Sequence, residues 1–312
     1  MNYRIFRDYR FSQLTLGTVQ LGLNYGISNS EGMPDRAESY RMLRYAAQVG
    51  INTLDTARQY GHSEEILGDF TEDTRGEFAL NLVSKFKISP ANLSHQERAW
   101  KEVHKSVTES LTALKIDRLP VCLHHKGAEP MAEVIKILPT LLYRLKQEGL
   151  IDMGGISAYG PEDLSYILEE DLLEATQIPV NIFDQRLLQS GLLDQLRSQS
   201  KLVFARSVFL QGLFFMNPAH LKGSLKKAEP YLVTLQNLAQ RAQMTVAQLA
   251  FSFVRDLSAV DSLVFGAVNQ SQIQQNIELL NGPAIPTALL AEIQDVFQQV
   301  EEAIITPAVW TV

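Results

Sequence analysis

Residues 51–68 read INTLDTARQYGHSEEILG. The stretch opens with alternating apolar residues, as a short strand does, and ends that strand on an acid, Asp55. Tyr60 follows on a loop flanked by Gly61, and His62 and Ser63 lead into SEEILG, a pattern that predicts a capped helix start. An acid at a strand's C-terminal end, with a phenol on the next loop, suits chemistry at the mouth of a parallel barrel. Taken alone, the same pattern also fits an aspartate that simply caps the following helix.

The rest of the chain repeats this unit. Leu14–Leu16 predicts a strand before a loop through Pro34, and Asp35 predicts the cap of a helix reaching about Val49. Further strands are expected at Ala79–Ser84, ending in Lys85, and at Leu119–Leu123, ending in His124 and His125. Others are expected at Met153–Ile156, ending in Ser157, and at Ala175–Val180, Leu202–Ala205 and Leu263–Phe265. Helical patterns lie between them: Ser94–Leu114, Met131–Gln147, a helix opened by Pro161, and Val246–Arg255; Ser271–Leu280 follows the last strand. Alternating strands and helices predict a parallel sheet with right-handed crossovers. Eight such units fit a closed (β/α)8 TIM barrel better than an open sheet, and no G-x-G-x-x-G follows the first strand. One domain over residues 1–312 is expected, with an extra C-terminal helix and tail after Ala284.

Composition narrows the function. A formal charge of −7, well mixed along the chain, argues against nucleic acid or an anionic membrane as the main partner. Cys122 is the only cysteine, which rules out an intrachain disulfide and a thiolate metal cluster. The start, MNYRIFRDYR, is charged where a signal peptide needs an apolar run, so a soluble cytoplasmic protein is expected. There is no His-x-His at the first strand to suggest a metallohydrolase, and no metal is expected.

Asp55, Lys85 and His124 each sit at a strand's C-terminal end, with Tyr60 just beyond one, and a barrel gathers such ends at one mouth. An ammonium near the phenol lowers its pKa from about 10. A carboxylate beside the ammonium holds it charged, and a histidine opposite can donate to a substrate oxygen. The plainer alternatives are a structural Asp55–Lys85 ion pair and a core histidine.

On these residues the chain resembles the aldo-keto reductase family over nearly its full length. LDTARQYGHSEEILG is similar to the signature D-T-A-x-x-Y-G-x-S-E-x-x-L-G, VSKF to the lysine segment, and VCLHH to the histidine segment. The resemblance implies a tetrad of Asp55, Tyr60, Lys85 and His124, with His124 taken over His125 because it directly follows the apolar strand. It implies hydride transfer between a nicotinamide cofactor and an aldehyde, ketone or sugar, Tyr60 acting as general acid in reduction. A monomer is expected.

Cofactor positions follow from the same resemblance. GISAY resembles G-V-S-N-x, so Ser157 matches the serine that holds the nicotinamide amide, while Ala158 replaces the usual asparagine. Gln177 matches the glutamine sharing that role. In the run Ala205–Gly212, Arg206 falls where most members have a ring-stacking tyrosine; it is expected to pack on the nicotinamide and favour the reduced, uncharged form. Ser207 matches a diphosphate contact, and Gly212 in the same run is grouped with the cofactor positions. FGAVNQSQIQQNIELL resembles the adenosine-phosphate segment, implying contacts from Gly266, Gln272 and Asn276. The usual basic residues there are missing; NADP is expected, with NAD as the alternative.

Two other classes compete with a reductase. A cofactor-binding regulatory or scaffold protein would bind dinucleotide without turnover on a broad carbonyl panel. A barrel hydrolase or lyase using Lys85 as a Schiff base would be exposed by borohydride trapping of substrate on that lysine.

Overall fold

Ten short strands form in the computed structural model, which describes residues 1–27, 29 and 31–311. β1 (Tyr3–Phe6) and β2 (Tyr9–Ser12) pair as an antiparallel hairpin. The other eight are β3 (Leu14–Gly17), β4 (Thr53–Asp55), β5 (Asn81–Phe86), β6 (Leu119–His125), β7 (Ile151–Ser157), β8 (Leu173–Pro179), β9 (Leu202–Arg206) and β10 (Ser262–Gly266). They close, all parallel, in chain order, with β10 pairing back onto β3. With helices between the strands, this is a (β/α)8 TIM barrel.

Successive side chains on a strand point to opposite faces, and the barrel has two apolar layers. Val83, Val121, Leu123, Met153, Ala175, Leu202 and Phe204 fill the interior. Leu82, Phe86, Cys122, Ile156, Ile178, Val203 and Ala205 face outward into the larger core shared with the helices. Phe11, from the hairpin, joins the interior cluster and meets Phe204 edge-on at 5.9 Å. The hairpin therefore stoppers the end of the barrel where the strands begin. Backbone bonds from Gln13 to Asn2 and from Leu263 to Gln13 fasten it there.

Several elements differ from the sequence reading. The hairpin falls within the segment read only for its charge. β5 runs two residues later than expected, which puts Lys85 inside the strand. The helix expected over Met131–Gln147 is two, Met131–Val134 and Leu138–Gln147. Pro139 lacks the N–H a continuous helix would need and sits instead in the first turn of the second. Between β9 and the helix Val246–Arg255, three 3-10 segments and a helix at Glu229–Arg241 occupy a stretch with no clear period in sequence. Asp35 does cap its helix, accepting from Glu38 N at 2.7 Å.

After β10 come helices Gln270–Leu280 and Thr287–Val296, then a tail. Trp310 donates from its indole to the carbonyls of Ala303 and Ile304, 3.1 Å each, and Thr311 bonds Ser224. Trp310 therefore packs against the short helix Glu302–Ile305 within the tail rather than lying over the mouth. No helix among the described residues is long and apolar enough to cross a membrane.

Candidate active site

Strand parity assembles the site. Asp55, Lys85, His125, Ser157, Gln177 and Arg206 continue the inward-facing rows of β4 to β9, one step beyond the packed interior. They converge at the C-terminal mouth. His124 continues the outward row set by Cys122 and pairs across the sheet with Phe86.

Lys85 is 1% exposed and Asp55 3%. Lys85 Nζ donates to Asp55 Oδ1 at 2.6 Å and to Thr56 O at 2.8 Å. Gln177 Nε2 donates to the same Asp55 oxygen at 2.7 Å, a link absent from the sequence reading. Burial pulls the Lys85 ammonium below its ordinary range, against the opposing pull of Asp55. Excellent geometry with hydrogen bonds on both ions is the condition under which such a buried pair holds.

Tyr60 sits above the pair, its ring centroid 5.2 Å from Lys85 Nζ. The sequence reading has the ammonium lowering the phenol's pKa. In the structure burial raises it, the Asp55 carboxylate adds to the rise, and Arg206 opposes. The phenol thus holds its proton firmly before substrate arrives. Two glycines set its position. A Cβ on Gly22 would be driven into Tyr60's carbonyl oxygen, and one on Gly61, where φ is +54°, into Gly22's. We expect Gly22→Ala to lower kcat by about tenfold through displacement of Tyr60, a shift of the order that costs up to a hundredfold in positioned sites. Steady-state kinetics beside a urea unfolding curve checks this; wild-type kcat would refute it.

The predicted cap at Ser63 is not made: His62 is the N-cap without a side-chain bond. Ser63 Oγ instead donates to Thr18 Oγ1 at 2.7 Å and accepts from Thr56 Oγ1 at 3.1 Å, tying the loops after β3 and β4. Buried Glu64 accepts from Ser84 Oγ at 2.6 Å and Arg58 Nη1 at 3.0 Å, anchoring the same loop to β5.

The two adjacent histidines part company at the end of β6. His124 is 0% exposed, with its ring 5.8 Å from Phe86 and Nε2 3.1 Å from Glu129 Oε1, in the layer behind the barrel. His125 stands edge-on to Tyr60, centroids 6.1 Å apart, with Nδ1 3.2 Å from Gln59 Oε1. Burial, then Lys85, Lys87, Arg206 and His124, push His125 from 6.5 down to about 3. The folded chain thus holds it neutral, whereas the unfolded chain protonates it near 6.5. Its contribution to stability is therefore complete above about pH 6.5 and lost as pH falls toward 3. His125→Gln should flatten the fall of the urea midpoint in that window. An unchanged fall would refute the assignment. Burial pushes Glu129 up, but bonds from His124 and Gly127 N outweigh it and hold the carboxyl at about 2.

Ser157 Oγ lies 3.5 Å from Gln177 Oε1, a pair suited to a carboxamide, one donor and one acceptor. Arg206 donates to Ala158 O at 3.0 Å and to Ser207 Oγ at 3.4 Å, and its guanidinium lies 5.0 Å from the Tyr159 ring centre. Ser207, Leu210, Gln211 and Gly212 all have left-handed φ, a tight turn that delivers Gln211 Nε2 to Tyr25 OH at 2.8 Å. That bond joins the loops after β9 and β3. Gly266 ends β10 beneath the Gln20 carboxamide. Asn269 caps the next helix, and Gln272 Oε1 accepts from Val268 N at 3.0 Å. Asn276 Nδ2 donates to Gln272 O at 2.8 Å, while its Oδ1 is buried without a partner among the described residues. An orphaned acceptor there and the carboxamide pair at Ser157–Gln177 fit the two ends of a nicotinamide adenine dinucleotide. Among the described residues no three His, Cys, Asp or Glu side chains cluster as a metal site would need.

A closed parallel barrel with this charged, proton-bearing mouth defines a class of oxidoreductase. A profile of the Aldo/keto reductase family matches residues 13–297, and the chain belongs to that family. It is 27% identical to the L-glyceraldehyde 3-phosphate reductase of Escherichia coli K12, across 92% of this chain and 91% of that one. In fold it is similar to the holo form of an aldo-keto reductase from Bacillus halodurans, with a TM-score of 0.76, 20% identity, and 95% and 96% of the two chains covered. A Klebsiella pneumoniae aldo-keto reductase in complex with NADPH aligns with a TM-score of 0.67 and 21% identity, covering 94% and 93%.

Proposed function

We propose that the chain, working as one domain, reduces a small aldehyde or ketone to its alcohol with NADP(H), Tyr60 supplying the proton. The observation that carries this is the Tyr60 phenol standing over the buried Lys85–Asp55 pair at the barrel mouth. When bound, the reduced nicotinamide supplies the hydride. The carbonyl oxygen rests between the Tyr60 hydroxyl and neutral His125, which takes the role first given to His124. As negative charge develops on that oxygen, Tyr60 gives up its proton. Lys85, fixed by Asp55, stabilises the phenolate left behind. A phenol held above its ordinary pKa keeps its proton at neutral pH, the form that reduction needs.

Ser157 and Gln177 seat the carboxamide, and Gln177 ties that seat to Asp55. Gln272 and Asn276 hold the adenine end, with Gly266, Ser207 and Gly212 lining the path between. The E. coli relative's name, an aldehyde reductase, and the NADPH complex of the K. pneumoniae fold neighbour support this reading. Loss of reduced-cofactor absorbance over a carbonyl and sugar panel, with NADPH and NADH, tests it; cofactor binding without turnover of any compound would overturn it. Arg206 is placed beside the nicotinamide seat, where a cation disfavours the oxidised ring. Arg206→Tyr should lower the ratio of reduced- to oxidised-cofactor affinity by about tenfold, roughly 1.4 kcal/mol. An unchanged ratio by fluorescence titration would refute that role.

A further inference from the structure

Lys126 follows His125 at the end of β6, yet nothing in the proposed chemistry uses it. Its side chain is only 13% exposed. Nζ lies 3.6 Å from Asp163 Oδ1, beyond hydrogen-bond reach, and 3.4 Å from Gly127 O. Asp163 is already engaged, its Oδ2 accepting from Tyr159 N at 3.0 Å. An ammonium has three donors. Lys85, on the neighbouring strand β5, makes contacts of 2.6 and 2.8 Å, whereas Lys126 makes none of that quality. A largely buried ammonium with unspent donors is costly unless something else completes it.

Its surroundings are cationic. Lys126 Nζ sits 5.5 Å from the centre of the Tyr159 ring, and the Arg206 guanidinium sits 5.0 Å from the same ring. Lys87, exposed just past β5, and Arg206 both act on His125 with the sign of a cation. Of the carboxylates nearby, Asp55 is paired with Lys85, Glu129 is bonded to His124, and Asp163 stands 3.6 Å from Lys126 itself, so the surplus of positive charge rests on Arg206 and Lys87. Positive charge lining a mouth of low-dielectric walls draws anions and raises their local concentration.

We propose that the substrate is an anionic carbonyl compound, with a carboxylate or phosphate close to its carbonyl, and that Lys126 binds that anion. This rests on the carbonyl-reductase reading above and adds the substrate's charge to it. Lys126 directly follows His125 at the end of β6, so a compact substrate would span the two at one rim. Arg206 and Lys87 reinforce the field, and Tyr159 forms the wall between Arg206 and Lys126.

The test compares kcat/KM for two matched pairs: succinic semialdehyde against butyraldehyde, and glyceraldehyde 3-phosphate against glyceraldehyde. The wild type should favour one anionic member by at least about tenfold, and the pair in which it does so tells carboxylate from phosphate. In Lys126→Met that preference should fall by about 10- to 100-fold, the range of a lost hydrogen bond to a charged group. The loss should appear in KM, and Lys126→Arg should restore most of it. Lys126→Gln, closer in polarity, serves if the methionine variant fails to fold. An unchanged ratio in the folded variants, or a wild type indifferent to charge, overturns the proposal. If the wild type turns over none of the four with either cofactor, the wider carbonyl and sugar panel decides the reductase reading. Calorimetry with succinate and inorganic phosphate then decides the anion site: binding lost in Lys126→Met supports it, and equal binding or none by the wild type overturns it.

Discussion

Tyr60→Phe should lower kcat by about 10²–10⁴, the range for loss of a general acid, while leaving cofactor affinity and stability close to wild type. The separation follows from the packing. The phenol's ring stands on Lys85 Nζ at 5.2 Å and meets His125 edge-on, and phenylalanine keeps both contacts. No protein group among the described residues depends on the Tyr60 hydroxyl as a hydrogen-bond partner, so its removal leaves nothing newly unsatisfied. The expected effect on unfolding is within about 0.5 kcal/mol, the ordinary size for a change that disturbs no packing or network. At the transition state the same oxygen supplies roughly 3–5 kcal/mol, since each tenfold in rate is about 1.4 kcal/mol. Stopped-flow turnover, cofactor titration and urea unfolding on one preparation measure all three. A variant that keeps its full kcat would show that the proton comes from elsewhere.

Lys85→Met should be the most destabilising change at the site. It strands Asp55, 3% exposed, with Gln177 as its remaining side-chain partner. Breaking one half of a buried ion pair costs about 3–5 kcal/mol because the other charge stays in the interior. Asp55→Asn combined with Lys85→Met removes that charge and should recover most of the loss while remaining inactive. The urea midpoints of the single and double variants give the comparison. A double variant no more stable than Lys85→Met would mean that packing of the lysine stem, not charge, sets the cost.

The barrel was legible because its strand–helix units repeat and several strands carry a polar residue at or near their C-terminal ends. Asp55, Lys85 and Tyr60 came from that pattern together with the signature in residues 54–68. Which of the two histidines faces the mouth was not legible in the sequence, for a physical reason. A strand buried on both faces carries apolar residues at every position, so VCLHH does not reveal which parity faces inward. Only the neighbours of Val121 and Leu123 show that the odd-numbered row enters the barrel. The same ambiguity hid the Gln177–Asp55 contact, which joins positions on strands far apart in sequence. Lys126 went unnoticed because a lysine after a strand reads as a solvated charge, and its burial depends on Tyr159 and Asp163 from the next unit. The phenol's pKa was read with the wrong sign because the desolvation of Tyr60 is set by loops, which carry little periodic signal. The N-terminal hairpin was passed over since its four-residue strands mix arginines with aromatics.

That hairpin leaves a mark on proton traffic. With Phe11 wedged against Phe204 and side chains filling the space above, the barrel is a blind well. On the proposed mechanism each turnover would empty Tyr60 of a proton, and the packed interior closes the route from below. The refill has to come down from the rim, past His125, Tyr159 and Lys126, along the same opening through which reactant enters and alcohol departs. Crowding at that rim therefore slows reprotonation and product escape together.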